Sequence, residues 1–145
     1  MRSSAVGRWE CFRSTSMAWI IGFGKPSRMR RRASSRMEYN ASMGPEESIT
    51  VPYRADFPAA EAHPSGYYHG ASLPALEKLG REKGYGLVAV DAAGVNAFFV
   101  LEAIRPETPR ARSAAELFCP HLMRARRHST EEQWALIRHL PYERV

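Results

Sequence analysis

Glu38, Tyr39 and Asn40 set a carboxylate, a phenol and an amide side by side. A carboxylate at a strand end can bind a polar substrate or remove a proton, or it can be a solvated structural charge. Asn40 can orient a substrate through its amide, or make the turn that commonly follows a strand. A second polar group, Tyr67, Tyr68 and His69, can line a pocket ahead of a helix, or lie half-buried with its polar tips in water. Asn96 offers either an amide near the same pocket or an entry into the strand that follows it. His63, His121, His128 and His139 show no metal-ligand spacing, so no metal is expected. No Ser-His-Asp or Cys-His arrangement has a supporting motif.

The elements that would carry these residues are legible from pattern and punctuation. Met37 to Asn40 reads as a strand end running into a loop, with turn-forming residues through Gly44-Pro45. Ser48 to Tyr53 is β-rich but holds Pro52, which suits a short extended or edge segment. Residues 54–66, with Pro58, Pro64 and Gly66, read as a surface loop. A helix over 72–83 follows: Ser72 caps it, Pro74 fits the first turn, and Leu73, Leu76 and Leu79 recur at helical spacing. Gly84 can stop it in a left-handed conformation. Tyr85 to Val90 and Ala97 to Leu101 are apolar strands joined by Asp91-Ala-Ala-Gly94, too short a link for anything but an antiparallel pair. Ser113-x-x-Glu116 and Ser129-x-x-Glu132 both fit the capping box. The second should open a helix with Trp134, Ile137 and Leu140 inward, stopped by Pro141.

Charge divides the chain near Arg36/Met37. Residues 1–36 hold nine Lys/Arg and one acidic residue, 9 − 1 = +8; residues 37–145 hold twelve and fourteen, 12 − 14 = −2, which together give the chain's +6. The basic charge is therefore a tail centred on Arg28 to Arg32 rather than a folded face, and no aromatic-interleaved RNA motif or helix-turn-helix pattern accompanies it. Such a tail would bind phosphate by unspecific counterion release, or dock on an acidic partner. An Arg- and Ser-rich, acid-poor start also has the composition of an organelle transit peptide. The longest apolar island, Met17 to Gly24, is far short of a membrane span. Cys11 and Cys119 make no disulfide framework, which fits free thiols in the cytoplasm.

Met37-Glu-Tyr-Asn40, Gly44-Pro-Glu-Glu-Ser-Ile-Thr-Val-Pro-Tyr53, Tyr68-His-Gly-Ala-Ser72, Lys83-Gly-Tyr85 and Gly94-Val-Asn-Ala-Phe-Phe-Val100 occur in this order. Together they resemble the C-terminal half of a bacterial S-adenosylmethionine-dependent methyltransferase-like family, over roughly residues 37–145. The resemblance implies an α/β, Rossmann-like class I sheet, with Met37–Asn40 ending the fifth strand and residues 85–91 and 96–101 forming the sixth and seventh. Ligands of open α/β sheets bind at the carboxyl ends of the strands, which puts Glu38, Tyr39 and Asn40 at the pocket rim.

The first strand of such a fold, its Gly-rich turn and the acidic end of the second are not found. Gly22-Phe-Gly24 is followed by Lys25-Pro26 rather than a helix. Codons compatible with Phe12 to Pro26, read from the third base, can spell P-F-D-V-D-G-V-D-Y-W-F-W-E-A. The family characteristically carries an acidic D-x-D-G-x-D-Y-W motif just upstream of the E-Y-N strand. Residues 1–36 are accordingly expected to be a basic segment that is disordered or frameshift-derived, 37–104 the incomplete sheet and 105–145 a helical C-terminal extension. The expected whole is an inactive methyltransferase-like half with no cofactor site of its own, no membrane association and no nucleic-acid partner. It would be open to a complementing chain or to self-association through exposed sheet edges.

Overall fold

The computed structural model describes residues 33–52 and 63–145. The expectations for residues 1–32, and for most of the 54–66 loop, lie outside them. Strand β1 (Ser34–Glu38) is followed by a 3-10 turn over Ala41–Met43 and a two-residue strand β2 (Ile49–Thr50). Helix α1 (Leu73–Glu82) leads into β3 (Tyr85–Val90) and β4 (Asn96–Leu101), joined by the expected tight turn. Two short helices, α2 (Ala114–Leu117) and α3 (Thr130–Ile137), precede β5 (Glu143–Arg144) at the C-terminus.

The main sheet has the order β1-β4-β3, antiparallel at both contacts. It follows that β1 and β3 run in the same direction. The chain crosses from one to the other through α1, as a parallel pair requires, and β4 then folds back into the gap between them. The sheet begins at Ser34, three residues before Met37, where Ser34, Ser35 and Arg36 pair with Val100, Phe99 and Phe98. The ordered sheet thus reaches into the segment expected to lie outside it.

One face of this sheet is covered. Burial alternates along β1, with Ser35 and Met37 inward and Ser34, Arg36 and Glu38 outward. The inward side chains of all three strands meet Leu73 and Leu76 of α1, each with no exposed surface. Gly80 lets the helix approach closely: a Cβ there would stand 2.9 Å from the Phe99 ring. On the opposite face Phe98 remains 36% exposed. The two sheet edges also differ. Arg112 donates its backbone N–H to Leu87 O at 2.8 Å, fastening the 105–113 segment along β3, whereas among the described residues no strand pairs with the outer edge of β1.

A second cluster holds Met43, Ile49, Val51, Tyr67, Tyr68 and Ile137, with Trp134, Leu140 and Tyr142 packed on it. Both capping boxes form, at Ser113/Glu116 and Ser129/Glu132. Helix α3 ends at Ile137, four residues before Pro141, so Leu140 packs from the turn beyond it. Residues 105–145, expected as a helical extension, hold α2 and α3 and also the strand β5. β5 pairs with β2, Val145 N donates to Ser48 O at 3.0 Å, and Ile137 is fully buried. The observed class is mixed α/β with small antiparallel sheets; a complete Rossmann-like sheet is not formed by the described residues.

Ser72 fixes the junction between β2 and α1. Its fully buried hydroxyl accepts from Ala75 N as the helix cap and from Ile49 N at 3.1 Å, and donates to Glu47 O at 2.6 Å. Ser72→Ala removes the cap and strands two buried backbone groups. It should lower stability by about 2–3 kcal/mol in urea unfolding, where a change under about 0.5 kcal/mol would contradict this role.

Candidate functional site

The carboxyl end of β1 runs directly into a buried polar network. Asn40 is 1% exposed. Its Nδ2 donates to Tyr67 O at 2.6 Å and to His69 O at 2.8 Å. Its Oδ1 accepts from Ser42 N at 3.1 Å and from Arg124 Nη1 at 3.0 Å. One side chain therefore joins the strand end, the 3-10 turn, the 67–69 segment and the turn that carries Arg124.

Arg124 is the centre of charge. Nη1 also donates to Ser42 Oγ at 2.9 Å, and Nη2 meets His69 Nε2 at 2.8 Å. Its guanidinium lies over the Tyr67 ring, 5.4 Å from the centroid. An arginine cannot accept a hydrogen bond, so His69 Nε2 is the acceptor and the neutral ring carries its proton on Nδ1. Burial, then the charge of Arg124, then His121 push the His69 pKa down to about 4. Burial also holds Arg124 below the usual arginine range, against a smaller opposing influence from Tyr67. His121 is lowered by burial and by Arg124; its Nδ1 accepts from Met123 N at 3.3 Å.

Outer contacts fix this group in place. Ser42 Oγ donates to Gln133 Oε1 at 2.6 Å, and Gln133, 1% exposed on α3, donates to His128 O at 2.8 Å. Tyr67 Oη is hydrogen-bonded to His128 Nδ1 at 2.9 Å. The approach of the 119–124 segment to the sheet depends on Gly94, whose φ is 68° and where a Cβ would collide with the Pro120 carbonyl. Leu122 N donates to Ala93 O at 2.9 Å beside it.

The six candidate residues divide between this network and its surroundings. Asn40 and His69 lie at its centre. Tyr39 is buried next to it, donates to Cys119 O at 2.6 Å and packs edge-on against Phe118; burial raises its pKa to about 12. Glu38 points out on the exposed face of β1. Tyr68 is buried in the second cluster, donating to Pro141 O and meeting Tyr142 edge-on. Asn96 donates to Asp91 Oδ2 at 2.6 Å within the β3–β4 turn. Partial burial pushes the Asp91 pKa up, but hydrogen bonds from Val95, Asn96 and Gly94 outweigh it and hold the carboxylate below its usual range.

Arg124, Ser42, His121 and Gln133 were not legible as site residues. Arg124 sits in the basic run Arg124-Ala-Arg-Arg-His128, which by itself reads as a solvated charged face. Its only local signal is His121 three residues before it, on one side of a tight turn. Among the described residues no group of three or more His, Cys, Asp or Glu could hold a metal ion, and no helix is long and apolar enough to cross a membrane.

The neutral state of His69 has a consequence for stability. The unfolded histidine takes up a proton near 6.5, the folded one only near 4. The stability it contributes is therefore complete above about pH 6.5 and is lost as pH falls toward 4, by on the order of 2–3 kcal/mol. His69→Gln keeps an acceptor for Arg124 but does not titrate. The difference in unfolding free energy between the original chain and this variant should change through that window; a pH-independent difference would contradict the assignment. No family model matches the chain, and no curated protein or solved structure matches it either.

Proposed function

We propose that residues 37–145 are the acceptor-side half of a methyltransferase-like α/β domain, and that this chain does not transfer methyl groups by itself. The carrying observation is the crossover: β1 and β3 parallel, joined through α1, with β4 inserted antiparallel between them. On this reading that arrangement is the end of a larger α/β sheet. One feature supports further strands beyond β1: its outer edge carries no partner among the described residues. A strand added beyond β1, from a complementing chain or a second copy, would occupy the position that the cofactor half takes in an intact relative.

The polar network supports the same reading. It stands at the carboxyl end of β1, and open α/β sheets take ligands at the carboxyl ends of their strands. It contains Asn40 and His69, and Tyr39 lies beside it. Methyl transfer needs a sulfonium donor held against an oriented nucleophile, so positioning contributes much of the rate. The reading gives residues 37–145 the acceptor side of that geometry and leaves the donor side to strands they do not include.

Calorimetric titration of the purified chain with S-adenosylmethionine should give no saturable heat; micromolar binding would overturn the inactive-half reading. Sequencing the locus tests the origin of residues 1–36 separately. A shifted frame over Phe12 to Pro26 encoding D-x-D-G-x-D-Y-W is the expected result, and codons incompatible with that motif would make the basic segment native.

A further inference from the structure

We propose that Arg124, with His69 and His121 beside it, forms a binding site for a small monocarboxylate at the carboxyl end of β1. The inference does not rest on the methyl-transfer reading; it would hold for a binding module as well.

Arg124 is half-buried, and its hydrogen-bond and ring partners among the described residues are all neutral: the Asn40 carbonyl oxygen, the Ser42 hydroxyl, the His69 imidazole and the face of Tyr67. The ion pairs among the described residues are Arg81–Glu77, Arg105–Glu102 and Arg144–Glu47; none involves Arg124. A guanidinium withdrawn from water without a counter-charge is costly, and an anionic ligand would compensate it. Among the described residues Asp91, the acid that acts on neighbouring His121, does not do so. Asp91 spends its carboxylate on Val95 N at 2.9 Å and on the Asn96 amide, inside the β3–β4 turn.

The donor count points to the ligand class. Of the five N–H groups of a guanidinium, three are used: two on Nη1, to Asn40 and Ser42, and one on Nη2, to His69. One N–H on Nε and one on Nη2 have no acceptor among the described residues. Two donors on adjacent nitrogens suit the two oxygens of a carboxylate. His121 adds a further donor: with Nδ1 accepting from Met123 N, its neutral ring carries the proton on Nε2. The charge is also matched. His69 stays neutral down to about pH 4, so at neutral pH the site offers one full cation, which a monocarboxylate balances and a phosphate dianion exceeds. His69, His121 and Arg124 are each partly exposed, so a ligand can reach them from solvent.

The test is an NMR titration of the full ¹⁵N-labelled chain at pH 8, where inorganic phosphate is mostly the dianion, and at constant ionic strength, with sodium butyrate in one arm and inorganic phosphate in the other. Butyrate should saturate at millimolar concentration, with shifts confined to residues 39–42, 67–69 and 121–124. Phosphate should bind at least about tenfold more weakly. Arg124→Met should abolish saturation and Arg124→Lys should weaken it, while Arg81→Met, on the far exposed face of α1, should leave it unchanged. Equal or tighter phosphate binding, undiminished butyrate binding in Arg124→Met, or no saturation with butyrate would each overturn the proposal. If Arg124→Met does not fold, the shift map of the unmodified chain decides: shifts outside those three segments overturn it.

Discussion

The carboxamide of Asn40 uses its full hydrogen-bonding capacity inside the protein, giving two donors to the 67–69 backbone and taking one hydrogen bond from Ser42 and one from Arg124. A buried amide left partly unsatisfied is costly, so all four partners must be delivered together. That requirement ties together pieces of chain up to 84 residues apart. The strand end, the 3-10 turn, the approach to α1 and the turn carrying Arg124 cannot move independently. A hydrophobic contact tolerates sliding; this arrangement does not.

The same logic recurs at Ser72, where one hydroxyl caps α1 and anchors β2. Two apolar clusters accompany these polar anchors, one under the sheet and one under α3. Apolar packing makes the protein compact, and the polar anchors decide which backbone segments meet. The polar surface at the end of β1 is therefore a consequence of folding: Gly94 admits the 119–124 segment, Asn40 receives Arg124, and burial, reinforced by Arg124, keeps His69 neutral.

Local elements could be read because their signals are local. Ser72 and Pro74 mark the start of α1, the leucines its buried face and Gly84, at φ 83°, its end. The β3–β4 hairpin follows from two apolar runs around Asp91-Ala-Ala-Gly94, and both capping boxes form where a hydroxyl precedes a glutamate by three. Pairings between distant segments could not be read. Nothing near Ser48 announces that the last residues of the chain will pair there, and nothing in Ser34-Ser-Arg36 distinguishes a strand from the basic segment before it. Asn40 looked like a turn former or a substrate-orienting amide; its burial comes from Tyr67, His69 and Arg124, all far along the chain. Arg124 carried no sign of its role because a guanidinium in a basic run differs from its neighbours only in what folding brings to it.

Side-chain hydrogen exchange at Asn40 tests this dependence most directly. If the carboxamide holds the site together, its two Nδ2 hydrogens should exchange with deuterium, followed by NMR, only as slowly as the most protected backbone amides of β4, because no local opening can release them. Exchange at the rate of a solvent-exposed asparagine, with β4 still protected, would contradict it.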